Sequence, residues 1–135
     1  MPNYWLLKTE PSTYSYDQLE ENGKAVWDGV RNNLALMHLR AMKPGDRVFI
    51  YHSGPTKAVV GVGRIVSGPY ADPKQQDPRF VVVDLVPEER LQKPVPLSAI
   101  KADPALGDLP LLRMPRLSVM PVSPAQWSRV LSIGK

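Results

Sequence analysis

Fifteen prolines in 135 residues constrain this chain more than any other feature. They make up roughly 11% of it, about twice ordinary usage. Each removes a backbone donor and fixes φ, so long helices and wide regular sheets are disfavoured. The prolines run from Pro2 to Pro124 between apolar segments, which is not the pattern of a disordered proline-rich tail. The expected object is a small, much-turned β structure with short helices. Its length suits one domain with one core, so residues 1–135 are read as a single unit.

Composition otherwise acts by exclusion. Cysteine is absent, which removes disulfide frameworks, thiolate metal sites, Fe–S clusters and cysteine nucleophiles. No apolar run approaches the roughly 18 residues of a membrane span. The opening Met1-Pro2-Asn3-Tyr4-Trp5 lacks the basic-then-apolar layout of a signal peptide. A cytoplasmic monomer without membrane partner, cofactor or metal is the expectation.

Local signals order the elements. Asn3 to Thr9 reads as a strand, ended by Glu10-Pro11. Ser15 and Gln18 have capping-box spacing and open a helix through Glu21 that Gly23 stops. Lys24 to Asp28 is short, extended and aromatic. Asn32 or Asn33 caps a helix over Leu34 to Met42, apolar on nearly every side and expected to be buried. After the Lys43-Pro44-Gly45-Asp46 turn, strands are expected over Arg47 to Ser53, Ala58 to Val66 and Arg79 to Val86. Gly61 and Gly63 point to the same side of their strand and suit sharp coiling or close approach by another group. Pro69 to Pro78 reads as a loop, and Pro94 to Leu97 as extended. Ser98 is expected to cap a helix over Ala99 to Ala102. Ser118 to Val122 is a last strand, and Ser123 with Gln126 forms a second capping box before Trp127.

The catalytic inventory is thin. His38 and His52 are the only histidines, and no G-x-S-x-G, H-E-x-x-H, Walker loop or G-x-G-x-x-G is present. His52-Ser53 suggests a base beside a nucleophile, but strand neighbours face opposite sides. A hydrogen-bonded structural histidine is the competing reading.

Three segments place polar groups beside aromatics. In Trp27-Asp28-Gly29-Val30-Arg31-Asn32, the indole offers a π face and Asp28 an acceptor, before a helix start that attracts electron-rich oxygens. The plainer reading is a core tryptophan, a turn, a surface arginine and a cap. The second segment is Tyr51-His52-Ser53, and the third is Arg113-Met114-Pro115-Arg116-Leu117-Ser118-Val119. Together they supply an aromatic plane, directional polar groups and a basic rim, the parts needed to hold one unstacked base. The net charge of +4 fits contact with a few phosphates.

These residues carry a family resemblance. Tyr4-Trp5-Leu6-Leu7-Lys8-Thr9-Glu10-Pro11 resembles the opening of the EVE domain. Trp27 to Asn32, Met42 to Asp46, Tyr51 to Ser53 and Leu112 to Val119 match that family in the same order. The resemblance implies an α+β, PUA-like fold, a small antiparallel β pseudo-barrel surrounded by short helices. It also implies a non-enzymatic module that reads a modified base, 5-methyl- or 5-hydroxymethylcytosine in DNA or a modified base in RNA. Some members are fused to nucleases, so a nuclease partner is among the expectations. Carried over, Trp27, Asp28, Gly29, Val30, Arg31 and Asn32 line the family's pocket. Tyr51, His52 and Ser53 form its second lining segment, and Leu117, Ser118 and Val119 its third. Lys8 and Ser12 stand beside it, while Arg113 and Arg116 are expected to form a phosphate rim. One departure is the segment Asn33-Leu34-Ala35-Leu36-Met37-His38, less polar than is common in the family.

Two other functions stay open on sequence. One is a hydrolase or transferase acting on a nucleotide or anion, with His52 as general base and Asp28 orienting it. The other is a module that binds a peptide or metabolite and never touches nucleic acid.

Overall fold

In the computed structural model, which describes residues 3–135, seven strands form one curled sheet with short helices packed around it. Met1 and Pro2, at the start of the stretch inspected for a leader, lie outside the described residues. The strands are β1 (Tyr4–Thr9), β2 (Ala25–Trp27), β3 (Arg47–His52), β4 (Ala58–Ile65), β5 (Tyr70–Ala71), β6 (Val81–Pro96) and β7 (Val119–Val122). The helices are α1 (Tyr16–Asn22), α2 (Asn33–Ala41), α3 (Leu97–Ala102), α4 (Pro110–Arg113) and α5 (Pro124–Ile133). Strand order is β2-β6-β4-β3-β1-β7, with β5 beside β6.

Every pairing is antiparallel except the β1–β3 pair, which is parallel. Parallel neighbours need a crossover, and residues 10–46 supply it with α1, β2 and α2. The sheet stays open between its end strands β2 and β7. Helix α2 packs against both β6 and β7 and closes part of that gap. The rest of the gap is where the site lies.

Because the sheet curls around its own core and carries helices outside, β3 is buried on both faces at Val48, Phe49, Ile50 and Tyr51. Trp127, from α5, lies between the rings of Tyr4 and Phe49, with centroids 4.6 and 3.8 Å away. Gly61 is a close-approach glycine. A Cβ there would meet Cζ of Tyr16 at 2.5 Å. That ring is buried, and its hydroxyl donates to the Val62 carbonyl at 2.8 Å, which pins α1 against β4. Asp46 is the other anchor. Its carboxylate, 2% exposed, accepts from Asn3 N, Trp5 Nε1 and Lys43 N, each at 3.0 Å.

Both capping boxes form, Ser15 with Gln18 and Ser123 with Gln126, and Gly23 ends α1 at φ 73°. Asn32, of the two asparagines, caps α2. Other expectations need correction. The sheet is wide despite the prolines, although it is not regular. The strand expected over Arg79 to Val86 spans Val81–Pro96 and carries Pro87, Pro94 and Pro96. Register shifts against β4 near Gly61 and Gly63 accommodate residues that cannot donate to the ladder. Helix α2 is not buried all round: Ala35, Leu36 and Leu39 face the core, while Met37 is 53% exposed. Ser98 is not a cap, because α3 starts at Leu97, after Pro96 fixes an extended φ, and has no side-chain cap. The loop from Pro69 to Pro78 contains the two residues of β5.

Candidate functional site

The open side of the sheet holds a cavity of about 540 Å³. Lys8 and Thr9 line it from the end of β1, Thr13 and Tyr14 from the following turn, and Asn22 from the end of α1. Lys24 to Val30 form the opposite wall, with Lys74 from the β5–β6 loop and Ser118 before β7. Volumes of roughly 300–1,000 Å³ are usual for small-molecule sites.

Trp27 is the last residue of β2 and pairs with Val83 of β6, so the sheet fixes its backbone. The residue lines the cavity and is packed into the core, 7% exposed. The Tyr14 ring meets it edge-on, with centroids 6.1 Å apart and planes at 84°. Tyr14 is itself held at two points. Its carbonyl accepts from Thr9 Oγ1 at 2.8 Å and its hydroxyl from Asn22 Nδ2 at 3.1 Å. Two aromatic walls at right angles therefore rest on the β1–α1 connection, not on β2 alone.

The chain then turns sharply. Gly29 adopts φ 78°, which L side chains rarely adopt, and this returns Val30 to the core. Asp28 is left facing Lys74, 3.5 Å away. Across the cavity, Lys8 Nζ donates to the Pro115 carbonyl at 2.8 Å and lies 5.9 Å from the centre of the Tyr51 ring. Burial holds the Lys8 ammonium below the usual lysine value and pushes the Tyr51 phenol up. Three ammonium groups and one carboxylate thus line the cavity, which favours an anionic or acceptor-rich visitor.

Of the residues singled out by sequence, Lys8, Trp27, Asp28, Gly29, Val30 and Ser118 come together here. The others stand elsewhere. Tyr51 is buried behind Lys8, and Leu117 and Val119 are buried on either side of the half-buried Ser118. Arg31 lies over the Phe80 ring at 4.9 Å, and Asn32 Oδ1 caps α2 by accepting from Leu34 N and Ala35 N. Ser12 and Arg116 are exposed outside the cavity lining. Arg113, exposed and outside the cavity lining, donates to the Gly107 carbonyl at 3.2 Å and to Asp108 at 2.9 Å. Ser53 N donates to the Thr9 carbonyl at 2.9 Å. Tyr14, Asn22, Lys24 and Lys74 were missed. Lys24 had a signal, since it directly precedes the aromatic strand. Lys74 had none, lying 46 residues from its partner Asp28.

His52 has a structural role. Its Nε2 accepts from Tyr16 N at 3.1 Å, and it does not line the cavity. Burial holds its pKa below the ordinary histidine value; Arg90 adds to this, while Asp17 and Glu10 oppose it. The unfolded chain takes up a proton near pH 6.5, where the native ring still resists it. Stability should therefore be full above that pH and decline as pH falls below it. Urea midpoints at pH 7.5 and 5.5 check this, and His52→Gln should flatten the decline. Parallel pH profiles for the variant and wild type would remove His52 from the account. His38, also lowered by burial, contributes with the same sign.

Among the described residues no group of three or more His, Asp or Glu could hold a metal ion, and no helix is long and apolar enough to cross a membrane. The curled sheet, open at β2 and β7 and ringed by short helices, defines the chain as a PUA-like domain of the α+β class. The EVE domain model matches residues 3–133, and the chain belongs to that family. Mouse thymocyte nuclear protein 1 is 33% identical over 98% of this chain and 74% of its own length. A crystal structure of a protein from Agrobacterium tumefaciens superposes with a TM-score of 0.95 at 36% identity, covering 98% of this chain and 92% of that one. Human THYN1, crystallised in complex with 5-methylcytosine-containing DNA, superposes with a TM-score of 0.90 at 27% identity, covering 98% of each chain.

Proposed function

We propose that this protein binds DNA and takes a single modified cytosine, turned out of its stack, into the cavity beside Trp27. The observation that carries this reading is the indole wall itself. A largely buried tryptophan that lines a cavity together with a carboxylate and three lysines offers a base what it needs: a stacking plane, an acceptor for its amino group and countercharge for its strand. The DNA complex of human THYN1, whose fold covers nearly all of this chain, supports it. Tyr14 limits the width of the slot from the side.

Each stacked base contributes about 1 to 3 kcal/mol, so Trp27→Ala should weaken binding roughly five- to 150-fold. Fluorescence titration with duplexes that differ only in one 5-methylcytosine measures this, and a matched RNA serves as a third arm. Equal affinity for all three, unaltered by Trp27→Ala, would defeat the proposal. Tighter binding to the RNA would change the polymer and leave the pocket standing. The enzymatic alternative needed His52 within reach of a nucleophile in this cavity. Its ring instead caps the start of α1 by accepting from Tyr16 N, and it does not line the cavity.

A further inference from the structure

Lys24 and Lys74 stand at opposite ends of β2. Lys24 directly precedes the strand, and Lys74 sits 3.5 Å from Asp28, which directly follows it. Positions 24 and 28 are about 13 Å apart at the usual rise of an extended chain. Trp27 lies between them, both lysines line its cavity, and among the described residues β2 pairs with β6 alone, which leaves its other edge unpaired.

Both ammonium groups are available. Their side chains are 59% and 79% exposed, and each shares its three donors with one carboxylate, Asp84 at 3.4 Å for Lys24 and Asp28 at 3.5 Å for Lys74. Exposed pairs of this kind are worth about 0 to 1 kcal/mol, so a phosphate oxygen can join or displace the carboxylate. Neither acid would be stranded. Asp84 keeps the Tyr70 hydroxyl, which donates to it at 2.6 Å, and Asp28, 44% exposed, stays hydrated at the cavity wall. The other cations differ. Lys8 is half-buried and donates to the Pro115 carbonyl, and Arg113 lies outside the cavity lining.

Resting on the reading of this cavity as a base pocket, we propose that Lys24 and Lys74 are its phosphate contacts. They hold the DNA strand at two points along the open edge of β2, on either side of the nucleotide whose base enters beside Trp27. In the free protein Asp28 occupies the place on Lys74 that a phosphate oxygen takes in the complex. Binding then leaves the Asp28 carboxylate to accept from the base.

The test is salt dependence. Affinities of wild type, Lys24→Gln, Lys74→Gln and Arg113→Gln for methylated and unmethylated duplexes are measured from about 50 to 200 mM salt. Each lysine variant should reduce the slope of log affinity against log salt by about 0.9, with the ratio between the two duplexes unchanged. Arg113→Gln should leave the slope alone. Unaltered slopes in both lysine variants, with Trp27→Ala still weakening binding, would overturn this assignment and leave the base-reading function intact. An equal loss of slope in Arg113→Gln would also overturn it, by placing the backbone on the other flank. Failure of the wild type to bind either duplex at the lowest salt would remove both proposals together.

Discussion

Asp46→Ala is expected to lower the unfolding free energy by about 4 kcal/mol and the melting temperature by roughly 10 to 15 °C. Three donors lose their acceptor at once: Asn3 N, Trp5 Nε1 and Lys43 N. The Trp5 bond is fully buried, so its N–H is left without water, at about 1 to 3 kcal/mol. The two backbone donors are only partly buried and recover some hydration, which keeps the total below three full penalties. Asp46→Asn should cost about half as much, because one oxygen remains while the amide faces a donor. Chemical denaturation of the two variants measures the difference. A loss under about 1 kcal/mol for Asp46→Ala would mean that water replaces the carboxylate, contrary to its burial.

Gly61→Ala should cost about 3 kcal/mol or more and should also weaken DNA binding. The added Cβ would lie 2.5 to 2.8 Å from three atoms of the Tyr16 ring, closer than real Cβ contacts allow. The ring cannot yield, since it is buried and tied by its hydroxyl to Val62. The strain must move α1, which carries Asn22 and follows Tyr14, so the second aromatic wall moves with it. A double variant, Gly61→Ala with Tyr16→Leu, should be less destabilised than the sum of the two changes, because the clash belongs to the pair. Additive losses in denaturation midpoints would show that the glycine is needed for some other reason.

Both positions illustrate what was legible. The spacing of Gly61 and Gly63 suits either sharp coiling or a close approach, and nothing in the sequence names Tyr16 as the group approaching. Trp27-Asp28-Gly29-Val30 was visible as a corner, and the structure places these residues at the cavity. Tyr51, Leu117 and Val119 belong to the same matched segments yet are buried, because a motif marks a stretch of backbone while the packing around each position decides which side chains emerge. Arg113 is expected from sequence as a phosphate contact; it lies outside the cavity lining, paired with Asp108 five residues away, because a cation near a motif carries no sign of its own partner.

The sequence by itself determined both capping boxes, the turns, most strand positions and the family, since each depends on contacts within a few residues or on ordered motifs. Only the tertiary structure decided that β1 runs parallel to β3, that β6 continues through its prolines, and that Tyr14, Lys24 and Lys74 share a cavity with Trp27. Such facts arise where the sheet curls and brings together segments dozens of residues apart. Distance along the chain carries no record of that meeting; packing of the whole core sets it.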